Sequence, residues 1–141
     1  MAMEDREQRL TIPRLPVLMA VLGTGMICGG AAVVIVHFLN RAPDLPPALA
    51  GVAATTAMFL VGAALIASGK PRPASTLAAF WLGATILRLL GLMALGIPIY
   101  FAVPSGLAPF ALGAGGAYLA CLVAETASVA RQALKSMDSS L

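Results

Sequence analysis

The chain has 141 residues, 60% of them hydrophobic and 11% charged, with a formal net charge of +3. Its mean hydropathy is +0.92, and a soluble domain would carry about a quarter charged residues, so there are too few charges here to cover a soluble surface. The composition implies one integral membrane domain. The weak positive charge, with no basic run interleaved with aromatics, excludes a nucleic-acid partner.

A charged tail over residues 1–14 precedes the first apolar segment, about Leu15 to Leu39. That run is far longer than the roughly 7–15 residues of a signal-peptide core, so it reads as a retained helix. Pro13 and Pro16 fall at its start, where proline is tolerated. "NRAPDLPP", Asn40 to Pro47, breaks the pattern with three prolines. The second segment runs from about Ala48 to Ser68 and ends at "GKPRP", Gly69 to Pro73. The third covers about Thr76 to Val103 and contains Pro98. Proline removes a donor, so a kink or early end is expected there, leaving "IYFAVPS" near the interface. "VPSG", Val103 to Gly106, is a tight turn into the fourth segment, about Leu107 to Ala130, and a short polar tail covers 131–141.

Each segment has about 20 residues or more, enough to cross a hydrocarbon core of roughly 30 Å as a helix. Helices satisfy their own backbone in lipid, and no alternating pattern suggests a barrel. The predicted fold is an all-α membrane protein, an antiparallel bundle of four transmembrane helices.

Basic residues predict the orientation. Arg6, Arg9 and Arg14 lie in the N-tail, Lys70 and Arg72 in the second loop, and Arg131 and Lys135 in the C-tail. The first loop has only Arg41 and the third has none. Both termini are therefore expected in the cytoplasm. Trp81 and Tyr100, near the two ends of the third helix, suit aromatic belts.

Without a hydrophobic drive between helices in lipid, small residues permit the close approach that holds a bundle together. Candidate packing positions are Gly25 and Gly29 in helix 1, Ala50, Ala53 and Ala57 in helix 2, and Gly113, Ala117 and Cys121 in helix 4. A specific Gly25–Gly29 contact, within the bundle or between copies of a homo-oligomer, is weighed evenly against a chance stripe in a chain rich in glycine and alanine. Cys28 and Cys121 sit in apolar runs without a metal-binding spacing, and read as small packing residues.

Three ionisable residues fall within the spans: His37, Arg88 and Glu125. His37 is near a helix end, at headgroup level, and reads as a solvated interfacial side chain. Arg88 lies about 18 Å into helix 3, near mid-membrane, where an arginine costs about 2.5–3.5 kcal/mol to insert. Glu125 is offset from it by roughly 9 Å along the membrane normal. Side chains lean toward the N-terminus of their own helix, so on oppositely directed helices these two lean toward each other. The tight turn between them makes helices 3 and 4 expected antiparallel neighbours. Tyr118 and Cys121 share the Glu125 face, and Ala84, Thr85 and Gly91 share the Arg88 face. Tyr118 and Thr85 are thus candidate supporting polar groups, with the leucines opposite facing lipid.

The primary reading of the pair is a register lock between helices 3 and 4. The alternatives are a proton or ion relay and a contact with a charge on another membrane protein. No Ser/His/Asp set, H-E-x-x-H or phosphate-binding loop is present. No enzymatic activity, cofactor or metal is expected.

"LGATILRLLGLMAL" in helix 3 and "AYLACLVAETA" in helix 4, within a chain of four apolar segments and short charged tails, resemble the bacterial ATP synthase I family. These are small accessory membrane proteins of rotary ATP synthases. The resemblance covers most of the chain and places the family's helix-3 basic residue on Arg88. Some members carry an acid just after the glycine; here that position is Ala84, and Glu125 is a candidate source of the negative charge. The resemblance implies a bacterial inner-membrane protein that assists assembly of the ring of c subunits, with a suggested contribution to divalent-cation supply. Under it, Arg88 either meets c-subunit carboxylates or holds the fold. The competing expectation is a small oligomeric ion or solute transporter or channel with Arg88, Glu125 and Tyr118 lining the pathway.

Overall fold

The computed structural model describes residues 9–10, 14–66, 72–102 and 104–138. Four helices account for most of them: α1 (Arg14–Phe38), α2 (Leu45–Ile66), α3 (Ala74–Ala102) and α4 (Leu107–Asp138). All four are long and apolar enough to cross a membrane. Arg6, Lys70, Ser68, Pro13 and Val103 lie outside the described residues.

The connections follow from local chemistry. At the end of α1, Asn40 takes a left-handed backbone conformation, φ 52°. The Asn40 N–H donates to His37 O and the Arg41 N–H to Val36 O, the pairing of a Schellman cap in which asparagine replaces the usual glycine. A 3-10 turn over Ala42–Asp44 leads directly into α2, whose Pro46 and Pro47 occupy its first turn, where missing amides cost nothing. Between α2 and α3, Arg72–Pro73 (β2) pairs antiparallel with Arg9–Leu10 (β1). A second 3-10 turn, Pro104–Gly106, joins α3 to α4.

Two helix ends call for a physical account. α3 continues through Pro98 to Ala102, with no early end. Proline removes one backbone donor, and the flanking residues "ALGIPIYFA" are apolar enough to keep the remaining ladder in lipid. The fourth apolar span, Leu107–Arg131, ends where expected, and its helix continues to Asp138. Its final turns, "RQALKSMD", contain no glycine or proline to stop it.

α2 is the central helix. It is the most buried of the four and touches α1, α3 and α4. One cluster joins Val17 of α1, Ala63 and Ile66 of α2 and Ala84 of α3. A second joins Val21 of α1, Phe59 of α2 and Cys121 of α4. The buried face of α2 is Ala48, Gly51, Val52, Thr55, Phe59, Gly62, Ala63 and Ile66. The expected stripe of Ala50, Ala53 and Ala57 is exposed instead. That stripe lies on another side of the helix, and alanine is too frequent here to mark the buried side.

The α2–α4 contact is backbone on backbone. A Cβ added at Gly51 would collide with Phe110 O, and one added at Gly113 with Ala48 O. Ala117 is also buried. Thr55 Oγ1 donates across this seam to Ala114 O at 3.3 Å. Other hydroxyls are satisfied within their own helix, as lipid requires: Thr24, Thr56, Thr126 and Ser128 each donate to the carbonyl four residues back. In helix 1 only half of the expected glycine contact forms inside the chain. Gly25 is seated against Thr56, while a Cβ at Gly29 would meet nothing within 4 Å.

Candidate functional site

The chemistry-bearing centre is where α2, α3 and α4 meet. Arg88 of α3 and Glu125 of α4 are each about 1% exposed. Arg88 Nη1 donates to Glu125 Oε2 and Nη2 to Oε1, both at 2.8 Å. This is the two-pronged geometry in which a guanidinium matches a carboxylate and gains both charge and direction.

Helix 2 builds the rest of the site. The Phe59 ring lies 4.0 Å from Arg88 Cζ, offering its negative face to the cation. Tyr118 of α4 meets Phe59 edge-on, with centroids 5.3 Å apart at 73°. Gly62 faces the guanidinium from the same helix, and a Cβ there would overlap Nη2 and Nε. Arg88 Nε is the one buried side-chain polar atom without a hydrogen-bond partner among the described residues; it faces this glycine gap.

The expected face residues divide. Ala84 and Cys121 are buried alongside the pair, while Tyr118 and Gly91 are half-buried. Tyr118 reaches the site through Phe59; its expected hydrogen bond or stacking with Arg88 or Glu125 is not among the described contacts. Thr85 is not a partner either: its hydroxyl donates to Trp81 O at 2.9 Å, because its own helix offers a closer acceptor. His37 is exposed in the last turn of α1. Leu82, Leu87, Leu89, Leu90 and Met93 of α3 are exposed, the outward face expected for lipid.

The tight turn leaves α3 and α4 in contact, as expected of neighbours, but not as each other's main contact. α3 lies mainly against α2 and touches α4 sparsely. The long reach of Arg88, past Gly62, spans what the backbones do not close. Phe59 and Gly62 were not legible as site residues, since a lone phenylalanine and glycine in an apolar helix carry no distinguishing signal. The usable signal is indirect: a buried cation needs a π face and room, and the level of Arg88 on an adjacent helix selects few positions.

Chemically the arrangement is closed. The charges neutralise each other and both carboxylate oxygens are occupied. Among the described residues, no group of three or more His, Cys, Asp or Glu could hold a metal ion. No family model, curated protein or solved structure matches this chain.

Proposed function

We propose that this chain is a non-enzymatic accessory protein of the bacterial inner membrane that assists assembly of a rotary ATP synthase, with the c-ring subunits as its partners. The reading rests on the resemblance of "LGATILRLLGLMAL" and "AYLACLVAETA" to the ATP synthase I family. The observation that carries its mechanism is the Arg88–Glu125 pair. A charge satisfied inside the chain suits a structural lock better than a relay, whose groups must exchange ions or protons with a pathway. Arg88 then holds the fold, and contact with another subunit falls to the exposed apolar helix faces.

In this reading the helices alternate in direction and both termini are cytoplasmic. Contact order supports the alternation: Val21 of α1 meets Phe59 of α2, and the later Gly25 meets the earlier Thr56. Arg88 of α3 reaches Gly62 of α2, and the later Gly91 reaches the earlier Met58. The distribution of basic residues supports the side.

The test is co-purification. The tagged chain, extracted in mild detergent from its native membrane, is expected to bring the c subunit with it. Absence of every ATP synthase subunit overturns the proposal. Ion or proton flux in liposomes above that of empty vesicles, abolished by Glu125→Gln, would replace it with the transport reading.

A further inference from the structure

A cavity of about 320 Å³ opens between α1, α2 and α4, away from the charged pair. Its walls are apolar and include Ala32 and Val36 of α1, Val52 of α2, and Leu112 and Gly116 of α4. Only its mouth is charged, lined by Arg41 and Asp44. We propose that this groove is a specific phospholipid site, holding one acyl chain in the apolar slot and a zwitterionic phosphate–ammonium headgroup at Arg41 and Asp44.

Three observations commit the groove to a lipid. The first is its size. Along α1 it extends from Cys28 to Leu39, about 16 Å at the helical rise, close to the roughly 15 Å of one leaflet's hydrocarbon. One extended acyl chain matches that length. The second is the gap itself. At Gly116, which lines the groove, a Cβ would meet nothing within 4 Å, so α1 and α4 leave space unfilled there. Lipid tails are as apolar as these walls, so the gain comes from dispersion contacts that an empty slot forfeits.

The third is charge complementarity at a mouth that is built. The Schellman cap sets Arg41 directly after Asn40, and the Asp44 N–H donates to Arg41 O at 2.9 Å. Cation and anion are thereby held side by side. Their own ion pair is loose, 3.7 Å with Arg41 71% exposed, and such a pair is worth little by itself. A headgroup bearing phosphate and ammonium satisfies both members; a purely anionic headgroup satisfies Arg41 and repels Asp44. A quaternary ammonium has no N–H to give Asp44, which favours phosphatidylethanolamine over phosphatidylcholine.

The experiment is native mass spectrometry of the full chain from nanodiscs containing equal amounts of phosphatidylethanolamine, phosphatidylcholine and phosphatidylglycerol. One phosphatidylethanolamine per chain is expected to survive mild activation. Gly116→Leu adds its side chain to the open slot and is expected to lose that lipid while keeping its helical circular dichroism. Arg41→Gln with Asp44→Asn is expected to keep a bound lipid and lose the headgroup preference. Equal retention of all three lipids by the unsubstituted chain overturns the proposal. So does undiminished binding in Gly116→Leu, or a dimer that Gly116→Leu abolishes, which would make the groove an interface between copies. Co-purification with ATP synthase subunits has no bearing on these outcomes.

Discussion

At the scale of the residue, one guanidinium concentrates the energetics. Arg88 and Glu125 are removed from water and bonded twice to each other. Deleting one partner leaves an uncompensated buried charge, a loss of about 3–5 kcal/mol. Arg88→Leu and Glu125→Leu are each expected to lower thermal stability in detergent by this order. The double change should cost less than the two singles added, by about 0.5–3 kcal/mol of coupling. Strict additivity in that cycle would mean the pair does not act as a unit. Gly62 offers an independent test, since a methyl there falls on the guanidinium. Gly62→Ala is expected to cost about 1–3 kcal/mol, the scale of overpacking, and to lose most of that cost in an Arg88→Leu background. The pair was legible in sequence because intramembrane charge is rare and side-chain lean has a fixed direction. Phe59 and Gly62 were not, because they owe their role to one atom of a residue on another helix.

At the scale of the element, backbone proximity decides which helix is central. Hydropathy locates spans but is indifferent to neighbours: four helices of similar apolarity give no order of packing. Loop length makes α3 and α4 neighbours, and they do touch, yet α3 lies more against α2 than against α4. The α2–α4 seam depends on two glycines that place backbone against backbone, Gly51 with Phe110 and Gly113 with Ala48. Gly113→Ala is therefore expected to push the helices apart and destabilise by about 1–3 kcal/mol. Gly29→Ala, entering open space, is expected to be neutral or slightly stabilising, since alanine is the better helix former by about 1 kcal/mol. Chemical denaturation of the two variants in the same detergent separates them. Equal losses would show that sequence spacing, not the seam, sets the packing. The helix-1 motif thus splits by position: Gly25 is fixed by Thr56, and a Cβ at Gly29 has no neighbour.

At the scale of the whole molecule, the distribution of charge and the described contacts constrain the same arrangement. The β1–β2 pairing holds Arg9–Leu10 against Arg72–Pro73, so these two basic segments lie together. Arg131 and Lys135 extend α4 beyond its apolar stretch. In the proposed arrangement of alternating helices, these basic positions fall together and Arg41 falls opposite. Lys and Arg are retained on the cytoplasmic side, so the expected orientation is testable at two exposed positions, Ser105 and Lys135. In a Cys28→Ala background, with Cys121 buried, Ser105→Cys is expected to react with a membrane-impermeant maleimide on intact cells. Lys135→Cys is expected to react only after lysis. The reverse pattern would mean that the bias in basic residues does not set the topology. Labelling of both from outside would mean that α4 does not span, and would put Glu125 in water, where a bonded carboxylate could no longer offset the insertion of Arg88.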